Sequence, residues 1–148
     1  MTEKKYDKLK LENQLCFPIY AASRELIKLY RPHLEPLDLT YTQYITMMVI
    51  WEEKKVNVKN LGKRLFLDSG TLTPVLKNLE SKGYIRRYRS VEDERVLYVE
   101  VTENGNKLKE RATAVHDKMR EYVKLTDEET LQLYTLMYKL LKLNNIMD

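Results

Sequence analysis

Among its 148 residues the chain has one cysteine, one tryptophan, two phenylalanines, two histidines, four glycines and four prolines. Each shortage excludes something. A single cysteine, Cys16, cannot close an intrachain disulfide, so this is not a disulfide-stapled secreted domain, and a reducing cytoplasm is the expected compartment. His33 and His116 stand apart, with no cysteine or carboxylate at ligand spacing, so no metal centre is expected. Phosphate loops, catalytic triads and dinucleotide fingerprints are missing too, so no cofactor is called for and an enzyme is not expected. Few glycines and prolines argue against a loop-rich or low-complexity chain. The longest apolar run, "MMVIW" at residues 47–51, is far too short to span a bilayer. The opening "MTEKKYDKLKLEN" lacks the apolar stretch of a signal peptide, so neither export nor a membrane partner is expected.

What is present reads as one mostly helical domain: 43% apolar and 32% charged residues, with no repeats and no dividing linker. A chain this long buries roughly two-thirds of its unfolded surface. The formal charge of +4 is unevenly placed. Residues 54–89 carry ten basic side chains (Lys54, Lys55, Lys59, Lys63, Arg64, Lys77, Lys82, Arg86, Arg87 and Arg89) against Asp68 and Glu80, a net of +8 that leaves −4 elsewhere. A basic block between acidic ends is the footprint of a surface that meets a polyanion, although ordinary solvated lysines would give a similar count.

Periodicity places the elements. From about residue 9 to residue 30, Leu11, Leu15, Ile19, Ala22, Leu26 and Leu29 recur at helical spacing, and Pro32 and Pro36 are expected to end that helix. Pro18 sits inside this stretch. Within a helix interior it would cost about 3 kcal/mol or more, whereas in a first turn it is nearly free. The regular helix is therefore predicted either to start close to Leu15 or to kink there. Thr40 with Gln43 forms a capping box for a second helix, and a short third helix covers about residues 57–66. Asp68 and Ser69 are good N-caps for a fourth, whose Leu72, Val75, Leu76 and Leu79 form the buried face. Gly70, Thr73, Pro74, Lys77 and Ser81 lie opposite, and Gly83 is placed as a C-terminal cap. The pattern then alternates, giving a hairpin of residues 85–89 and 97–101 around a charged turn. Helices follow from Thr102 to about residue 123 and, after a Thr126–Glu129 capping box, to about Asn145. The last helix is more apolar than one subunit needs, which points to a second copy.

Helix, short helix, tight turn, helix and basic hairpin is the layout of a winged helix-turn-helix. Its second turn helix fits the major groove, where base pairs differ in donor and acceptor pattern, and its hairpin can reach phosphates or the minor groove. The stretch "LDSGTLTPVLKNLESKGYIRRYRSVEDERVLYVEVTENG" resembles the DNA-binding core of the MarR family of winged-helix repressors, with "DSGTLTPVLKNLE" similar to its recognition helix and "DERVLYVEVTENG" to its wing. "LENQLCFPIYAASRE" together with "DLTYTQY" resembles its organic hydroperoxide resistance branch. The resemblance implies a mainly α fold with a small β-hairpin wing. A winged lobe would span about residues 40–102, and dimerisation helices about 1–35 and 103–148. It implies a homodimer on double-stranded DNA with a pseudo-palindromic operator. By the same resemblance Arg95 enters the minor groove, Asp93 orients it and Asp68 is a further acidic partner. Ser69, Thr71, Thr73 and Lys77 fall on the recognition helix, and Arg87 in the hairpin is taken with them as a DNA-contacting cation.

A free cysteine is most often a small buried hydrophobe. A sensing cysteine must instead reach its thiolate, which is about 3% of the population at pH 7 when the pKa is near ~8.5. Tyr20 and Tyr30 match the two tyrosines that, in the resembled branch, hydrogen-bond the reactive cysteine from across the dimer. Pro18 departs from that branch, which has an ordinary apolar residue there. Oxidation by an organic hydroperoxide would give a sulfenic acid, then a mixed disulfide with a low-molecular-weight thiol or higher acids. A shift in dimer geometry would then misplace two recognition helices that must sit about 34–36 Å apart. The expectation is a cytoplasmic repressor released from DNA by oxidation of Cys16. Three alternatives stay open: a repressor released by a small aromatic ligand with Cys16 inert, a single-cysteine thiol peroxidase, and a helix-turn-helix module that binds protein.

Overall fold

Local chemistry sets most of the element ends in a computed structural model that describes residues 2–143. A short helix α1 (Thr2–Tyr6) and two 3-10 turns (Asp7–Leu9 and Leu11–Asn13) lead to the long helix α2, Cys16–Leu34. Pro18 is the third residue of α2, where N–H groups have no intrahelical acceptor in any case. The helix thus begins where the proline is free, as expected. Two expectations need correction. The helix does not start near residue 9: the chain winds as 3-10 turns there, with the side-chain amides of Asn13 and Gln14 donating to the Asp7, Lys8 and Lys10 carbonyls in place of a continued backbone ladder. Nor does Pro32 end it. Its ring forgoes the bond to the Lys28 carbonyl, but the Glu35 N–H still closes onto the Arg31 carbonyl and Leu34 is buried, so packing overrides the local penalty. A 3-10 turn, Glu35–Leu37, then hands over to Asp38, which is left-handed at φ 53°.

Helix α3 (Tyr41–Glu53) opens with the expected capping box: the Gln43 N–H donates to Thr40 Oγ1 at 3.2 Å, and the Thr40 N–H to Gln43 Oε1 at 3.1 Å. Strand β1 (Lys55–Asn57) follows, three residues absent from the periodicity reading. Helices α4 (Val58–Leu65) and α5 (Ser69–Ser81) come next. Gly83, at φ 79°, ends α5: its N–H donates to the Glu80 carbonyl at 2.9 Å and the Tyr84 N–H to the Leu79 carbonyl at 3.1 Å, a Schellman closure. Strands β2 (Ile85–Arg89) and β3 (Leu97–Val101) form the hairpin. β3 is the centre of an antiparallel sheet of order β1-β3-β2, with Val99 opposite both Val56 and Arg87. Helices α6 (Glu103–Tyr122) and α7 (Asp127–Leu143) complete the described chain, α7 behind the expected Thr126–Glu129 box. The expected end near Asn145 lies outside the described residues.

The core sits between α3, α4, α5 and the sheet, where Met47, Ile50, Leu61, Leu72, Leu76, Leu79, Ile85 and Val99 are at most 2% exposed. Each such side chain contributes about 2 kcal/mol of burial. Val75, expected with them, is half-buried at the edge. Leu108, Ala112, Val115 and Met119 of α6 extend the core toward α2. Trp51 locks the joint by donating Nε1–H to the Gly105 carbonyl at 2.8 Å. Gly105 has to be glycine, since a Cβ there would lie 2.2 Å from the Tyr84 carbonyl oxygen.

Candidate nucleic-acid interface and cysteine arm

The packing of α5 decides which of its side chains are free. With Leu72, Leu76 and Leu79 buried, Ser69, Gly70, Thr71, Thr73 and Lys77 are exposed on the far side. Asp68 caps the helix: its Oδ1 accepts the Thr71 N–H at 2.7 Å, and that bond holds its carboxyl below the usual carboxylate range. Asp68 thus serves the start of α5, and the ion pair of Arg95 is made with Asp93. Thr73 donates its hydroxyl to the Ser69 carbonyl at 2.7 Å, which leaves its methyl group and an oxygen lone pair for a ligand.

The hairpin tip is built around Ser90, whose Oγ accepts the Glu92 N–H at 3.2 Å, while the Ser90 N–H donates to the Val96 carbonyl at 2.8 Å. Asp93 grips Arg95 by three bonds. Its Oδ1 takes the Arg95 backbone N–H at 3.1 Å and Nε–H at 3.0 Å, and its Oδ2 takes Nη2–H at 3.2 Å. These bonds hold the Asp93 carboxyl low, led by the guanidinium contact. The Arg95 side chain is nevertheless 90% exposed, so a cation stands in solvent with its direction fixed.

Arg87 is placed differently. Only 19% of its side chain is exposed, and it faces Glu80 of α5: Nη2 to Oε1 at 3.0 Å, Nε to Oε1 at 3.3 Å, and the Arg87 backbone N–H to Oε2 at 2.8 Å. Sequence reasoning counted both charges but missed their pairing, because the partners lie on different elements across the α5–β2 turn. It also missed the second bond of Gln43, from Nε2–H to Asn78 Oδ1 at 2.9 Å, which ties α5 to α3, and the Lys82–Asp38 pair at 3.2 Å, which ties the end of α5 to the corner after α2.

The cysteine lies at the far end of the molecule's long arm. Cys16 is the first residue of α2, free and exposed, in a turn that no side chain caps. Tyr20 is one turn on, on the same helix face, and is exposed. Tyr30 is half-buried against the rings of Tyr41 and Tyr44, with centroids 4.8 and 6.0 Å away, and burial pushes its phenol up. Fourteen residues of helix separate Cys16 from Tyr30, about 21 Å at 1.5 Å per residue, so the two cannot meet within one straight helix. Leu15 just before α2, Phe17, Leu26 and Ile27 within it, and Leu131, Leu133 and Leu136 of α7 are also exposed, leaving both arms with uncovered apolar surface. His33 contacts Tyr122, Nε2 to Oη at 3.2 Å, and binds α2 to α6.

The family model for the transcriptional regulator SarA/Rot matches residues 28–112. The organic hydroperoxide resistance transcriptional regulator of Bacillus subtilis is 46% identical over 140 residues, 95% of each chain. The HTH-type transcriptional regulator SarZ of Staphylococcus haemolyticus is 49% identical over 119 residues, 80% of this chain and 81% of that one. Among solved structures, overoxidized AbfR bound to DNA superposes with a TM-score of 0.76 at 35% identity, covering 94% of this chain and 98% of that one. The first three matches are transcriptional regulators, which favours regulation over the thiol-peroxidase alternative. The exposed face of α5, the arginine at the hairpin tip and these matches agree: the chain belongs to the MarR family of winged-helix transcriptional regulators, in its organic hydroperoxide resistance branch.

Proposed function

We propose that this regulator is a homodimeric repressor that holds a pseudo-palindromic double-stranded DNA operator while Cys16 is reduced and leaves it when an organic hydroperoxide oxidises Cys16. The Cys16 thiolate attacks the terminal peroxide oxygen. An S–O bond forms, the O–O bond breaks, and the leaving alkoxide takes up a proton as the alcohol, giving a sulfenic acid. Condensation with a low-molecular-weight thiol then releases water and forms a mixed disulfide. On the DNA side, Ser69, Thr71, Thr73 and Lys77 present donors, acceptors and a cation to the major groove, and Arg95 reaches the minor groove.

One observation carries the sensing half. Cys16 is exposed at the head of an arm whose apolar face lacks cover, while Tyr30 stands about 21 Å further along the same helix, so only a second copy can bring a Tyr30 to the sulfur. Any added bulk at Cys16 then falls in the dimer contact that sets the spacing of the recognition helices. Operator affinity measured before and after an organic hydroperoxide, for the native protein and Cys16→Ser, tests the proposal. The native protein should lose at least tenfold and the variant nothing. Equal loss in both would refute it.

A cleft of about 750 Å³ between α2 and the winged lobe, lined by Tyr20, Arg24, Lys28, Tyr41 and Lys82 among others, favours a second reading, a repressor released by a small aromatic ligand with Cys16 inert. That reading predicts full peroxide resistance in the native protein.

A further inference from the structure

We infer that Glu80 and Arg87 are a positioning pair that fixes the angle between the recognition helix and the wing, so that Arg95 enters the minor groove while α5 lies in the neighbouring major groove. The inference rests on the DNA-binding reading above and assigns Arg87 a different task from phosphate contact.

The connection from α5 to β2 is only Lys82, Gly83 and Tyr84, and Thr102 holds that turn from the far side by donating its hydroxyl to the Gly83 carbonyl and its N–H to the Tyr84 carbonyl. Among these bonds, Glu80 supplies the direct tie from α5 itself to the strand. It stands in the last turn of α5, and both of its oxygens are used on one residue of the middle of β2, one on the backbone N–H and one on the guanidinium. A bond to the backbone amide holds the strand itself, and the planar guanidinium fork adds direction that a point charge would not. The guanidinium is mostly covered and its charge is neutralised by Glu80, so it is poorly disposed to meet a phosphate.

Geometry gives the pair its leverage. From Arg87 to the start of the tip at Ser90 is about 10 Å of strand, so a tilt of roughly 10° about the clamp moves the tip by about 2 Å. The minor groove is only about 6 Å wide, and Arg95 is already locked to Asp93, so it cannot search for a displaced target.

The test is a double-mutant cycle on the reduced protein, reading operator affinity for Glu80→Gln, Arg95→Ala and the double variant, with Arg87→Lys alongside. Arg95→Ala alone should weaken binding, and its failure to do so would remove the wing reading on which the inference rests. Glu80→Gln should weaken binding about tenfold where Arg95 is present and less than twofold where it is absent. Arg87→Lys, which keeps the charge and loses the fork, should behave like Glu80→Gln. Equal losses in both backgrounds would reduce the pair to a general support of the fold. A gain in affinity for Glu80→Gln, or native affinity for Arg87→Lys, would mean that Arg87 contacts DNA directly, and either outcome overturns the inference.

Discussion

The winged lobe and the helical arms solve opposite problems with the same residue types. In the lobe, leucines at helical spacing on α4 and α5 meet a sheet and disappear from solvent, as Leu61, Leu72, Leu76 and Leu79 show. On α7 the same spacing ends in water: Leu131, Leu133, Tyr134 and Leu136 are all exposed, and on α2 only Leu34 is buried. The lobe closes its own core, whereas the arms carry apolar surface that this chain does not cover. An identical periodic signal therefore means core in one region and, in the other, exposed apolar surface that the proposed second copy would cover.

The strongest way to break that comparison is to truncate one leucine in each region. Leu76→Ala should cost about 2–5 kcal/mol of folding stability, the same at every protein concentration. Leu136→Ala should act through association, so its loss of thermal stability should grow on dilution and vanish at high concentration. Denaturation followed at several concentrations reads both, and a concentration-independent loss for Leu136→Ala would show that α7 packs within its own chain. Next in size, Arg95→Ala should weaken operator binding by roughly 1–3 kcal/mol, or about five- to 150-fold, with an unchanged melting temperature, because its side chain is 90% exposed. Binding titration paired with thermal unfolding checks this.

Smaller again, Thr40→Ala removes one half of a reciprocal cap and should cost about 1 kcal/mol, read by denaturant unfolding. The smallest effect is a pH dependence within the lobe. Glu80 and Asp93 are held below their ordinary values, Glu80 chiefly by the Arg87 guanidinium and Asp93 chiefly by that of Arg95. A depressed folded-state pKa gives stability that is fully present above the ordinary carboxylate value and is lost as pH falls through the depressed one. Native protein should therefore lose stability below about pH 4.5 more steeply than Glu80→Gln, and parallel acid-unfolding curves would count against the clamp.

Much of the fold was legible in the sequence because its signals are local. Thr40 with Gln43, Thr126 with Glu129, Asp68 at the start of α5 and Gly83 at its end are codes written within three or four residues, and each appears as read. What was missed depends on distant partners. β1 is a strand only because Val56 pairs with Val99, and three residues carry no period of their own. Pro32 is by its local chemistry a terminator, yet burial of Leu34 carries α2 past it. The candidate site divides the same way. The Asp93–Arg95 pair came from the family resemblance and is present, whereas the Arg87 clamp on Glu80, which spans a turn between two elements, had no such guide.

The central claim is that sensing needs Cys16 of one copy and Tyr30 of another, and a mixed dimer tests it most directly. One subunit carries Cys16→Ser and the other Tyr30→Phe, and the rate of sulfenic acid formation with an organic hydroperoxide is measured. Across the dimer, the remaining cysteine still meets an intact tyrosine, so the mixed dimer should react at the native rate with half the amplitude. Oxidation as slow as that of a dimer carrying Tyr30→Phe in both subunits would contradict the account.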